Sequence, residues 1–290
     1  MSEKMKKLID PGQSTWGSSR HDVLGRCLRM YGYSYVLKEP RETTGPQMFG
    51  TLAHLVLAHH YMQIMCEHKR IENEYLAPLD ALAVRLQDEP DWELLLSPGV
   101  EEFYKQYRDE YAYADKGWTP LAIEKELKMQ MWHGEDPYLY TQRLDLIVRS
   151  ASTGKIYIVD HKTASRPGIR PFEVSLQMVG CQIFGEQIYG REFGGVLINL
   201  LKKPGKDGVW KFSRHVLDIG EGFKKAFKPT VLHRRRELAK LEASGIPVSS
   251  WPMAISDQIC WTRYGHCPYI HKCRQGTDTI PAQTQGLQIP

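Results

Sequence analysis

The stretch QRLDLIVRSASTGKIYIVDHKTAS, residues 142–165, constrains the fold most: two apolar strands and a polar turn that nevertheless carry Asp145, Asp160 and Lys162. Leu144, Leu146 and Val148 alternate with Asp145, Ile147 and Arg149, the two-residue period of a strand with distinct faces. Beyond the Ser150–Gly154 turn, Ile156, Ile158, Asp160 and Lys162 share one face, and Tyr157, Val159 and His161 take the other. With Ile156 set opposite Arg149, antiparallel pairing brings Leu146 against Val159, Leu144 against His161 and Asp145 against Asp160, with opposed Cβ atoms roughly 5 Å apart. Facing carboxylates repel, and charge on a buried face is costly unless paired or metal-bound. A divalent cation between the two turns that repulsion into a binding site, with Lys162 projecting toward the same spot. The alternative is an exposed sheet edge on which Asp145 pairs with Arg143 or Arg149 and Asp160 with Lys162, contacts worth little in water.

A chain of 290 residues, 42% hydrophobic and 25% charged, can bury a large core, as one elaborated domain or a core with insertions. Residues 1–15 read as a flexible lead-in. A helix is expected from Arg20 to about Val36, containing Cys27, and a second from about Gln47 to His68, holding GTLAHLVLAHH. Residues 75–112 read as further helix, broken near Pro90 and Pro98. Strand-like AIEKELKMQM and the hairpin follow, then a helix on which Val174, Met178, Cys181, Phe184 and Ile188 recur at helical spacing. GGVLINLLKK and GVWKFSRHVL form another hairpin around PGKDG. The order strand, strand, strand, helix, strand, strand, with helices before and after, implies a mixed α/β layout. The expected organisation is a helical N-terminal part over 1–120, a core over 121–218, a basic helix and Cys-rich segment over 219–275, and a disordered tail over 276–290.

No apolar run is long enough to span a membrane, and MSEKMKKLID lacks the apolar region of a secretion signal. A cytoplasmic location without a membrane partner is therefore expected, with the six cysteines reduced or metal-bound. The formal charge of +4 permits a nucleic-acid partner without demanding one. Lys224, Lys225, Lys228, Arg234, Arg235 and Arg236 crowd the late helix, either as a solvated face balanced by Glu237 and Glu242 or as a track for a phosphate backbone.

These positions together resemble the PD-(D/E)XK nuclease superfamily, in its RecB-like branch. RLDLIV is similar to the strand carrying the first metal-binding Asp, here Asp145, and IVDHKTA to the D-x-K-T signature, which makes Asp160 the second ligand and Lys162 the catalytic lysine. GTLAHLVL resembles the helix that supplies a metal-binding His, here His54, and Gln177 matches the glutamine that positions DNA or the lysine. Leu144 stands where the superfamily name has Pro, and Cys181 where many relatives have Tyr. The resemblance implies a restriction-endonuclease-like core with a mixed central sheet flanked by helices. Without it, His54 reads as one more helical histidine beside His59 and His60, and Gln177 as a polar residue on a helix surface.

The chemistry agrees with the resemblance. Asp145 and Asp160 offer hard oxygen ligands for Mg²⁺ or Mn²⁺, His54 adds a nitrogen that favours Mn²⁺, and the backbone carbonyl of His161 could complete the shell. Such an ion lowers the pKa of water and polarises a phosphate oxygen, while Lys162 orients the water and stabilises developing charge.

A second signal is CWTRYGHCPYIHKC, which places Cys260, Cys267 and Cys273 close together. In several RecB-like nucleases, including those of CRISPR adaptation and the helicase–nucleases of recombination, one early Cys and three late ones hold a 4Fe–4S cluster. By that resemblance Cys27 is the early ligand, although the Cys260–Cys267 gap is longer than the family's tight late pair. Zinc held by Cys with His266 or His271 is the rival reading, and three clustered free thiols the plain one. Cys66 and Cys181 fall on apolar helical stripes and read as core. Trp261, Tyr264 and Tyr269 either stack on bases or shield the cluster.

The expected function is a metal-dependent DNA nuclease, an exonuclease on single strands or DNA ends, in recombination, repair or CRISPR adaptation. The alternative is a nucleic-acid-binding or interaction subunit with a structural Fe–S or zinc site and no catalysis. The chain has no helicase phosphate-binding loop, so unwinding would come from a partner protein.

Overall fold

The computed structural model describes residues 6–9, 11–12, 14–40, 44–88, 90–133, 136–164, 168–262 and 265–276. Helix α1 (Ser18–Arg26) is followed by α2 (Leu28–Tyr31), a π-helical turn (Gly32–Val36), and the long helices α3 (Gly45–Lys69), α4 (Pro78–Gln87) and α5 (Pro90–Tyr111). Strands β1 (Trp118–His133), β2 (Asp136–Ser150) and β3 (Ile156–Ala164) then precede α6 (Arg170–Glu173) and α7 (Leu176–Tyr189). Strands β4 (Phe193–Lys202) and β5 (Lys211–Val216) lead to α8 (Glu221–Ser244), α9 (Asp257–Cys260), the short pair β6 (Trp261–Thr262) and β7 (Gly265–His266), and α10 (Ile270–Gln275).

Two compact units interleave along the chain. The first comprises Met1–Gly17, Thr43–Gln130 and Leu139–Phe227; the second comprises Ser18–Glu42, Met131–Tyr138 and Lys228–Pro290. The first is built on a five-stranded sheet in the order β1-β2-β3-β4-β5. β2 and β3 run antiparallel, as do β4 and β5, whereas β3 and β4 are parallel. A parallel pair needs a crossover, and the chain between them supplies α6 and α7. The sheet is therefore mixed, as the element order implied.

Helix α3 starts at a capping box in which Thr44 and Gln47 satisfy each other's backbone N–H groups, with a proline in the first turn. Leu52, Val56, Phe103, Tyr107 and Trp210 pack it against α4, α5 and the β5 side of the sheet. A second cluster sets its Tyr61 against Leu146, Val148, Val159 and Leu197. Each fully buried side chain of this size contributes about 1.5–3 kcal/mol, so α3 is firmly fixed over the sheet. Close approach also matters at Gly180 of α7, where an added Cβ would collide with Gln142 Oε1 of β2.

Three expectations need correction. The first helix is not continuous: Cys27 adopts an extended backbone (φ −161°) and its sulfur caps the next turn by accepting the Met30 N–H. The helix α5 starts at Pro90, where the lost N–H is harmless, but runs through Pro98 without a break. The lead-in is tethered at Lys7 and Ile9, where Lys7 bridges to Tyr75 and the Ile9 N–H donates to His59 Nε2. The expected tail lies outside the described residues from 277 onward.

Candidate active site

The β2–β3 ladder pairs Arg149 with Ile156 and runs to Leu146 with Val159, the register the apolar pattern predicted. It does not continue to a direct Asp145–Asp160 pairing. Instead Asp145 Oδ2 accepts the His161 backbone N–H at 2.8 Å, a charge-assisted bond that replaces the next carbonyl. The exposed-edge alternative also falls, because β3 is the central strand and Asp160 is only 3% exposed. Arg149 pairs elsewhere, with Glu192.

Asp160 and Lys162 meet Gln177 of α7 on one face of β3. Lys162 Nζ lies 2.7 Å from Asp160 Oδ2 and donates to Gln177 Oε1 at 3.1 Å, while Gln177 Nε2 donates to Asp160 Oδ1 at 2.8 Å. Gln142 Nε2 in turn donates to the Gln177 carbonyl at 2.8 Å and to Cys181 Sγ, which seats the start of α7 on β2. Gln177 is therefore no free surface group. His54 of α3 approaches from another side, its Nδ1 3.4 Å from Asp145 Oδ2.

Sequence reasoning missed Glu124. Donor atoms of His54, Glu124 and Asp145 all lie within 4.8 Å of one another, the one such His/Cys/Asp/Glu group among the described residues. Glu124 lies inside β1 with φ +47°, a left-handed backbone for which a non-glycine residue gives up about 1–3 kcal/mol. Nothing in AIEKELKMQM separates Glu124 from its charged neighbours; only the fold does.

The charges of the site are strongly coupled. Burial disfavours a charged His54, but the adjoining Asp145 carboxylate outweighs it and pushes the imidazole up to about 9. Burial also opposes ionisation of Asp145, yet His54 and Lys162 hold it well below the usual carboxylate range. Burial and then the Asp145 charge raise Glu124 to about 8, and burial raises Asp160 to about 6 although Lys162 opposes this. Lys162 is raised, because the Asp160 and Asp145 charges outweigh its burial. The His161 imidazole is driven down to about 3 by burial and stays neutral. Its ring stacks on Tyr61 and its Nδ1 sits 2.9 Å from Asn199 Nδ2, so the side chain is committed and only the backbone carbonyl is left for an ion.

In the second unit, Cys27, Cys260, Cys267 and Cys273 line a single cavity together with Met30, Met253, Ile259 and Tyr269. Among the described residues, no three of these sulfurs come within 4.8 Å of one another. Cys27 Sγ accepts backbone N–H groups from Met30 at 3.5 Å and Ala254 at 3.4 Å, and burial pushes the Cys267 thiol up to about 11. Cys66 and Cys181 are buried elsewhere. Tyr269 is buried, its hydroxyl donating to the Glu39 carbonyl, so it shields the cavity and cannot stack on a base. Trp261 is half exposed, and Tyr264 lies outside the described residues.

The basic helix is partly spoken for. Lys224 pairs with Glu186 and Glu221, Arg234 donates to the His21 carbonyl, and Arg235 lies over the Tyr138 ring. No described helix is long and apolar enough to cross a membrane.

The family model of the PD-(D/E)XK nuclease superfamily matches residues 15–274. Among solved structures, a "putative exonuclease" from Eubacterium rectale is similar over 94% of this chain and 93% of that one, with a TM-score of 0.51 and 13% identity. SSO0001 aligns over 66% of this chain and 74% of that one, with 13% identity and a TM-score of 0.29. No curated protein sequence matches the chain.

Proposed function

The chain belongs to the PD-(D/E)XK nuclease superfamily and has its α/β, restriction-endonuclease-like fold, and from that premise we propose a divalent-metal-dependent deoxyribonuclease of the RecB-like branch. The observation that carries this reading is the convergence of His54, Glu124 and Asp145 beside a Lys162 ammonium held by Asp160 and Gln177. The donor set suits Mg²⁺ or Mn²⁺: carboxylates, one imidazole, and a buried Asp160 Oδ2 that has only an ammonium beside it. His54, Glu124, Asp145 and Asp160 would hold the ion, with the His161 carbonyl beside them. When bound, it supplies Lewis acidity at the phosphate and lowers the pKa of the attacking water.

The chain's own groups do the rest. His54 sheds its proton to act as a neutral nitrogen donor. Lys162 orients the attacking water and counters charge developing on the phosphate, and Gln177 keeps that ammonium aimed. DNA is the proposed substrate, with exonuclease action, the activity named for the E. rectale fold neighbour, as the proposed mode and single strands or DNA ends as its targets. Roles in recombination, repair or CRISPR adaptation, with a helicase or adaptation protein as partner, extend the same reading.

We further propose that Cys27, Cys260, Cys267 and Cys273 hold a 4Fe–4S cluster. The reading rests on the four cysteines lining one cavity, and the N–H groups aimed at Cys27 Sγ are the kind of bond that tunes cluster thiolates.

The test uses 5′-end-labelled single-stranded DNA incubated with the protein in Mn²⁺, in Mg²⁺ and in chelator. Metal-dependent shortening of linear strands, with closed circles spared, is expected. Intact DNA in both metals would overturn the reading in favour of a non-catalytic binding subunit.

A further inference from the structure

Behind the strand that carries Asp160 and Lys162 lies a chain of polar groups that hydrolysis does not use. Asp115, Tyr61, Tyr107, Asn199 and His161 are all buried. Arg214 Nη2 contacts Asp115 Oδ1 at 2.6 Å and the Tyr61 and Tyr107 hydroxyls at 3.1 and 3.2 Å, with its guanidinium over the rings of Tyr111 and Trp118. A buried ion pair of this kind is seldom worth more than an apolar replacement, so stability alone does not explain it.

Followed outward from Asp115, the hydrogen bonds run in one direction. A carboxylate only accepts, so the Tyr61 hydroxyl donates to Asp115 Oδ2 at 3.1 Å. Tyr107 then donates to Tyr61 at 2.7 Å, which leaves the Tyr107 oxygen to accept from Asn199 Nδ2 at 2.8 Å. That order turns the amide nitrogen toward Tyr107 and leaves the buried Oδ1 without a hydrogen-bond partner among the described residues. The same Nδ2 reaches His161 Nδ1 at 2.9 Å, so Nδ1 is the acceptor and the ring proton sits on Nε2. Asn199 and His161 are direct register partners on β4 and β3, and the His161 ring meets His54 edge-on at 5.9 Å.

We infer that Asn199 is a positioning residue: anchored through Tyr107 and Tyr61 to Asp115, it locks His161 as the Nε2–H tautomer and so fixes the backbone between Asp160 and Lys162. Its effect on turnover rests on the proposed nuclease function; its effect on the tautomer does not.

The experiment has two readouts. Nitrogen-15 spectra of the wild-type protein, with the His161 signal identified by its loss in His161→Gln, should show Nε2–H, and Asn199→Leu or the ring-preserving Tyr107→Phe should release it to a mixture. In Mn²⁺ with single-stranded DNA, folded Asn199→Leu should lose about 10–100-fold in kcat and bind Mn²⁺ more weakly while KM for DNA is unchanged. Tyr107→Phe should move the same way by less, and it carries the test if Asn199→Leu does not fold. A wild-type His161 protonated on Nδ1 would overturn the inference, as would a folded Asn199→Leu with wild-type kcat and Mn²⁺ affinity. A wild-type protein that neither cleaves DNA nor binds Mn²⁺ refutes the proposed function instead, and the tautomer still decides the inference.

Discussion

Loading the site with Mn²⁺ should expel protons, and the number can be worked from the surroundings of each ligand. His54 is held up at about 9 by Asp145, and Glu124 at about 8 by burial and the same carboxylate. At pH 7 such groups are about 99% and about 90% protonated, and a cation accepts donors only in their deprotonated form. If both coordinate, about two protons leave per ion, Asp160 adding about a tenth more from its value of about 6. Because the raised groups must ionise to bind, affinity rises with pH, by about 100-fold per unit between pH 6 and 7. Calorimetry in two buffers of different ionisation enthalpy counts the protons directly. Glu124→Gln should reduce the release to about one and the slope to about tenfold per unit. Wild-type binding that releases less than half a proton, with affinity flat over that range, would refute the electrostatic account.

Three further outcomes are expected. Lys162→Met should lose about 10²–10³ in rate yet still bind Mn²⁺, since the lysine acts on the water and on developing charge; lost metal binding by calorimetry would make it a structural residue. Protein purified without oxygen should be brown and absorb near ~400 nm, and Cys27→Ser should bleach it while Cys66→Ser does not; a colourless anaerobic preparation with stoichiometric zinc would sink the cluster. Burial, helped by Arg234 and Arg235, holds folded His21 down at about 3, against about 6.5 unfolded. Its contribution to stability is therefore full above pH 6.5 and is lost as pH falls toward 3, by about 1.4 kcal/mol at pH 5.5. Urea unfolding at pH 7.5 and 5.5 should show His21→Gln losing less than wild type by that amount, and equal losses would show that His21 is not the sensor.

The strands of the hairpin were legible because their apolar residues alternate and only one register matches them. The same pattern could not reveal that the ladder gives way before Asp145, since that depends on a carboxylate taking the His161 N–H. Lys162, Asp160 and Gln177 converge because α7 follows β3 after one short helix, a local relation that sequence spacing captures. Glu124 and His54 come together only through the packing of α3 on the sheet, and the strained backbone that aims Glu124 leaves no mark in the residue order. Asn199 did leave one. It interrupts the apolar run VLINLL of a buried strand, where a polar side chain needs a partner. Its partners were beyond reach, because Tyr107, 92 residues away, meets it only in the folded chain. Likewise Cys27 interrupts a helical pattern that periodicity alone reads as continuous, and it lines the same cavity as the late cysteines.

The central claim is that Asp160, with Asp145 and His54, forms the catalytic metal site. The most direct test is the single-turnover rate of cleavage of single-stranded DNA in Mn²⁺ by wild type and by Asp160→Asn, a change that keeps the shape of the side chain and removes its charge. The account predicts a loss of at least about 10³ in rate with an unchanged fold by circular dichroism. A folded Asp160→Asn that cleaves within about tenfold of wild type would place the chemistry elsewhere and contradict the account.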